Sequence, residues 1–179
     1  MSPLAAATAM VGLVAALNLI LTVGLVRRMR EHSFRLARLT TPFGNGLPSI
    51  IRPGARPGPF ASTTVDGIAV DRSGFTLIAF FTPNCQPCLE ETPAFLAHAA
   101  AMPGGRDRVL AVIVAAHRDT EAYAERFHDV ARVVIEPDHG PIATAFAVEA
   151  FPAMVELDGD GMVTATAHRV RDLPARVAA

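Results

Sequence analysis

The pattern of apolar and polar positions divides the chain into three stretches. From Leu4 to Val26 no side chain is charged, a run of 23 residues. As a helix it would span roughly 34 Å, against a hydrocarbon core of about 30 Å. An arginine cluster follows at once: Arg27, Arg28 and Arg30, then Arg35 and Arg38, opposed only by Glu31. No basic side chain precedes the run, so it reads as an uncleaved single-pass anchor and not as a cleaved signal peptide. Between residues 27 and 40, Met29, Phe34, Leu36 and Leu39 interleave with the arginines. That stretch suits a continued helix, a membrane-surface segment or a bare topology signal. From Thr41 to Pro59 the chain carries Pro42, Gly44, Gly46, Pro48, Pro53, Gly54, Pro57, Gly58 and Pro59, the composition of a linker. The expected boundaries are an anchor with its basic segment at 1–40, a linker at 41–59 and a folded domain at 60–179.

Within that domain the patterning changes. Residues 61–70 alternate weakly around the turn pair Asp66-Gly67 and predict a short hairpin. Phe75 to Phe81 is an almost continuous apolar run, the mark of a strand buried on both faces. A helix is expected over 85–102, stopped by Pro103-Gly104-Gly105. Residues 109–116 predict a second buried strand, and 120–128 a polar-faced helix capped by Asp119 or Thr120. A third strand is expected at 132–135 and a short helix at 141–146. Strands at 153–157 and 162–167 are joined by Asp158-Gly159-Asp160-Gly161, a hairpin turn. A short last helix is expected at 172–179. The order β-α-β-α-β-α-β-β predicts an α/β domain, a mixed β-sheet flanked by helices.

Composition narrows the chemistry. A length of 179 residues suffices for one domain with a sizeable core and an appendage. The formal net charge of -1 gives no general attraction to nucleic acid. Two cysteines are too few for a disulfide scaffold, and they cannot alone close a four-ligand zinc site.

Those two cysteines form Cys85-Gln86-Pro87-Cys88, between the apolar run and the expected helix. A Cys-x-x-Cys at a strand-to-helix junction is the form of a dithiol that cycles with a disulfide. The reactive species is the thiolate, and a helix N-terminus stabilises negative charge. Cys85, at that end and expected to be the more exposed, is read as the attacking nucleophile. Cys88, one turn on and shielded, is the resolving thiol. Pro87 fits the first turn, where no intrahelical N–H is needed. No positive charge lies between the cysteines, which leans towards a reductant. Far along the chain, Phe151-Pro152 precedes a strand, and Pro152 is either a cis peptide or an ordinary edge proline.

The segment Phe80-Phe81-Thr82-Pro83-Asn84-Cys85-Gln86-Pro87-Cys88 resembles the active site of thioredoxin-like proteins. Glu91 and Pro93 stand at offsets similar to those of the TlpA/ResA group of membrane-tethered thiol–disulfide oxidoreductases, to which MauD-related proteins are close. Phe146-Ala147-Val148 through Pro152, then Leu157-Asp158-Gly159-Asp160-Gly161, resembles that group's cis-proline segment and following hairpin. The likeness runs from about Phe60 to the C-terminus, and the anchor and linker add to it. The resemblance implies a thioredoxin-like sheet in which Phe151 and Pro152 face the dithiol, with Phe151 offering its backbone and Pro87 and Pro152 shaping the substrate groove. It implies protein thiols and disulfides as substrates, an upstream thiol electron donor, and no cofactor beyond the Cys85–Cys88 pair. It also implies a domain outside the cytoplasmic membrane, whereas the arginine cluster implies the cytoplasm. Departures are Asn84 where the family usually has Trp, Leu89 where a basic residue often follows, and Ala79 where thioredoxin has a buried acid. Proton transfer to Cys88 then falls to Glu91, three residues on and on the same helix face.

Other chemistries find less support. There is no phosphate-binding glycine motif. A copper-delivery module using Cys85, Cys88 and a distant histidine such as His139 is the alternative. A peroxidatic site would need an isolated cysteine.

Overall fold

The computed structural model describes residues 50–83, 85–115 and 120–174, together with Met10, Gly12 and Leu13. The chain divides into two units, 1–46 and 47–179. In the first, Met10, Gly12 and Leu13 are helical and exposed. The rest of the expected anchor, the basic segment and residues 41–49 lie outside the described residues. Among the described residues no helix is long and apolar enough to cross a membrane.

The second unit is built on a five-stranded sheet. Its elements are β1 (Ala61–Thr63), β2 (Ala69–Asp71), β3 (Leu77–Phe81), α1 (Gln86–Ala100), β4 (Val109–Val114), α2 (Thr120–Ala124), β5 (Arg132–Glu136), α3 (Pro141–Ala145), β6 (Ala153–Leu157) and β7 (Val163–Ala167). The sheet order is β5-β4-β3-β6-β7. β3, β4 and β5 are parallel; β6 runs antiparallel to β3, and β7 to β6. β1 and β2 form a separate antiparallel hairpin.

The apolar run of β3 is explained by its central place. Successive side chains point to opposite faces, and both faces are covered. Leu77, Ala79 and Phe81 join Phe95 and Ala99 of α1, with Tyr123 and Phe127, in one core. Ile78 and Phe80 join Ile142 and Phe146, with Phe60 and Phe75, in the other. On the first face Phe81 lies 5.1 Å from Phe95 and 5.0 Å from Phe127, centroid to centroid. Each such ring, fully buried, contributes about 1.5–3 kcal/mol by removal from water. The buried face of α1, Cys88, Thr92, Phe95 and Ala99 at four- and three-residue steps, thus meets the alternate residues of β3 on one face of the sheet.

Several expected elements change length. α2 is α-helical only for Thr120–Ala124 and then tightens into a 3₁₀ turn, Glu125–Phe127, with Phe127 fully buried. So short a helix has little stability of its own, and the burial of its aromatic residues sets its course. Residues 116–119, including the expected cap Asp119, lie outside the described residues. After β7 the chain makes a 3₁₀ turn, Val170–Asp172, where a helix from 172 was expected; residues 175–179 are not described.

The expected domain start at Phe60 requires correction. Residues 50–59, rich in Pro and Gly, lie on the domain. Ile50 is buried, and Ile51 N–H donates to Phe146 O at 2.8 Å. Gly58 N–H donates to Ala145 O at 3.1 Å. Gly54 N–H donates to Val163 O at 2.7 Å, and Val163 N–H to Ala55 O at 3.0 Å. Proline and glycine prevent regular structure here, but they do not prevent packing or irregular hydrogen bonds.

Candidate functional site

β3 ends at Phe81, in the middle of the sheet, and the chain turns into α1 at Cys85. Cys85 is the N-cap residue, with extended backbone (φ -115°, ψ 113°), and its Sγ accepts the Cys88 N–H at 3.3 Å. A sulfur here takes the place that a Ser or Asp oxygen usually fills. Negative charge on it meets both the N–H and the positive end of a 15-residue helix. Pro87, half-buried, sits in the first turn. Asn84 lies outside the described residues. Leu89, which stands where the family often has a basic residue, is 39% exposed.

The second half of the site comes from 66 residues away. Antiparallel pairing of Phe80 with Ala153 brings the start of β6 beside the end of β3. The preceding Phe151–Pro152 peptide is cis, and Cys85 Sγ lies 3.6 Å from the Phe151 carbonyl oxygen. Phe151 is half-buried and Pro152 buried. This loop roofs the sulfur. Cys85 retains 3% of its surface and Cys88 none, so Cys85 is the more exposed of the two although both are buried. The two cysteines are thereby graded. A hydrogen bond with the Cys85 sulfur, and then burial, push the Cys88 thiol well above the ordinary thiol range.

Glu91 lies on α1 three residues beyond Cys88, half-buried. Its Oε2 accepts the Val170 N–H at 3.0 Å, a contact across 79 residues that its helix position did not disclose.

Three residues at the site escaped the sequence reading. Thr92 Oγ1 donates to Cys88 O at 2.7 Å and stands 2.9 Å from the Tyr123 hydroxyl. Because the single Thr92 proton is committed to Cys88 O, the Tyr123 O–H donates to Thr92. Burial pushes the Tyr123 phenol up to about 12, and the proximity of both cysteines adds to it. The third is His168, whose Nδ1 lies 2.7 Å from the Pro152 carbonyl oxygen. Tyr123 is the only tyrosine in the chain, but nothing local to it signals the contact.

His139, considered as a distant copper ligand, occupies the turn before α3 at φ 56°, and its carbonyl accepts from Thr144 Oγ1 at 3.0 Å. Among the described residues no group of three or more His, Cys, Asp or Glu is placed to hold a metal ion.

No family model matches the sequence, and no curated protein does. Solved structures do share the fold. The chain is similar to the thioredoxin domain of a thiol-disulfide oxidoreductase from Bacteroides vulgatus, at 19% identity and a TM-score of 0.55, over 68% of this chain and 92% of that one. It is similar to a thiol:disulfide interchange protein from a Bacteroides species, at 17% identity and a TM-score of 0.53, over 68% and 85%. A thio-disulfide isomerase from Thermus thermophilus matches at 23% identity and a TM-score of 0.50, over 66% and 87%. The fold class is thioredoxin-like: a mixed sheet with flanking helices.

Proposed function

We propose that the chain is a membrane-tethered thiol–disulfide oxidoreductase of the TlpA/ResA type, acting on protein disulfides outside the cytoplasm. The observation that carries this is the meeting of Cys85 Sγ with the start of α1 on one side and with the loop before Pro152 on the other. The described neighbours named for thiol–disulfide chemistry support the reading, as does the uncharged run from Leu4 to Val26.

In the proposed reaction the Cys85 thiolate attacks one sulfur of a target disulfide. The target S–S bond breaks, a Cys85–target disulfide forms, and the second target sulfur leaves as a thiolate that takes up a proton. Cys88 then gives up its proton and attacks the Cys85 sulfur. The mixed disulfide breaks, Cys85–Cys88 closes, and the first target sulfur departs to become a thiol. The target gains two electrons and two protons, and the dithiol loses both. An upstream dithiol reductant must reopen the Cys85–Cys88 bond. Glu91, fixed one turn beyond Cys88, is the proposed proton carrier for the second step. Phe151 and Pro152 supply the surface against which the target chain lies.

The test is reduction of insulin disulfides by the full chain with a dithiol reductant present. Cys85→Ser abolishes turnover, and Cys88→Ser accumulates a mixed disulfide with the target. Glu91→Gln keeps an acceptor for Val170 N–H but cannot carry a proton, so its rate falls about 10²-fold or more if the carrier assignment holds. Full activity of Cys85→Ser would overturn the mechanism, and wild-type activity of Glu91→Gln would remove Glu91 from it. Stoichiometric Cu(I) binding without disulfide turnover would favour the copper-delivery alternative.

A further inference from the structure

We propose that the corner after β7, residues 168–170, clamps the two halves of the thiol site together, with His168 as its positioning residue. The halves are distant in sequence; the β3–β6 pairing reaches as far as Phe80 and Ala153, and at the sulfur itself the contact is a sulfur–carbonyl approach of 3.6 Å from Cys85 to Phe151. Sulfur is a weak hydrogen-bonding atom, so this approach holds the loop poorly by itself. The corner touches both sides with stronger groups. His168 Nδ1 is 2.7 Å from Pro152 O, at the short end of the range for N–H···O bonds. Two residues on, Val170 N–H donates to Glu91 Oε2 on α1 at 3.0 Å.

The chemistry of each partner fixes the roles. A carbonyl oxygen only accepts, so Nδ1 of His168 carries the hydrogen and donates it. Pro152 has no N–H, and its carbonyl is the one backbone group through which that residue can be held. Val170 opens a 3₁₀ turn, where its N–H has no partner within the turn, and Glu91 satisfies it. The corner thus sets how closely the loop before Pro152 stands over the Cys85 sulfur. Its consequence for target entry rests on the exchange reaction proposed above; the clamp itself does not.

The experiment measures alkylation of Cys85 by iodoacetamide in the reduced full chain, located by peptide mass spectrometry. His168 lies at the surface, so replacing it removes little packing. In His168→Ala the loop loosens and alkylation speeds up about tenfold, the factor an ordinary lost hydrogen bond gives. His168→Asn places an amide N–H where Nδ1 stood and restores the wild-type rate. His168→Gln places its amide at the Nε2 position and behaves as Ala, which keeps the comparison available should the Ala variant unfold. An unchanged rate in Ala and Gln overturns the clamp, and so does an Asn variant as fast as Ala. Insulin reduction is measured alongside. A clamp pattern with no disulfide turnover by the wild type leaves the clamp standing and the exchange reading fallen. Turnover with unchanged alkylation does the reverse.

Discussion

Tyr123 shows how much one side chain can report about the interior beside the dithiol. Its phenol is raised from 10.0 to about 12, chiefly by burial. The folded state therefore holds this proton more tightly than the unfolded chain does. The corresponding stability is complete below pH 10 and is lost as pH rises through 12. Tyr123→Phe lacks that alkaline loss, and at pH 7 it costs about 1 kcal/mol through the missing bond to Thr92. Urea unfolding of both proteins under reducing conditions, from pH 7 to 12, checks this; equal slopes would remove Tyr123 from the alkaline transition. The same residue marks the limit of local reading. Cys85 at a helix start was legible, because the apolar run before it and Pro87 after it are sequence neighbours. The Thr92–Tyr123, Pro152–His168 and Glu91–Val170 contacts join residues 31, 16 and 79 apart, and no spacing rule connects them.

Among elements, α3 depends on a carboxylate from the strand before it. Glu136 ends β5, and its two oxygens accept the N–H groups of Ile142 and Ala143 at 3.0 and 2.7 Å. Burial pushes the Glu136 carboxyl up, against the pull of those two donors. Gly140, just before α3, leaves room for this: a Cβ there would stand 2.5 Å from the Glu136 carboxyl carbon. Gly140→Ala therefore displaces the carboxylate and leaves buried N–H groups without an acceptor. The expected cost is about 1–3 kcal/mol, read as a lower thermal midpoint. A midpoint equal to the wild type would show that the carboxylate can move at no cost. The strands were more legible than this helix. β3, β4 and β6 are buried on both faces, so their apolar runs speak for themselves. The hairpin turn at Asp66-Gly67 was legible from its residue types. Its attachment was not: Asp66 binds Arg106 and Arg132, and Val65 N–H donates to Val133 O on β5.

For the whole molecule, the proposed orientation sets two signals against each other. The arginines from Arg27 to Arg38 favour a cytoplasmic domain, and the family resemblance favours the opposite side. In reduced intact cells a membrane-impermeant maleimide labels Cys85 if the domain lies outside. Labelling only after lysis would place it inside and give the arginines the decision. The folded segment at 50–59 adds a constraint on range. Counting tether residues as far as Phe60 overstates how far a membrane-bound domain can stand from the bilayer. The ten residues from 50 to 59 are fastened to the ends of β7 and α3. At full extension they would have supplied roughly 35 Å. If the chain is tethered as proposed, a target presents its disulfide nearer the lipid by at most that length, which selects partners that are themselves held close to the bilayer.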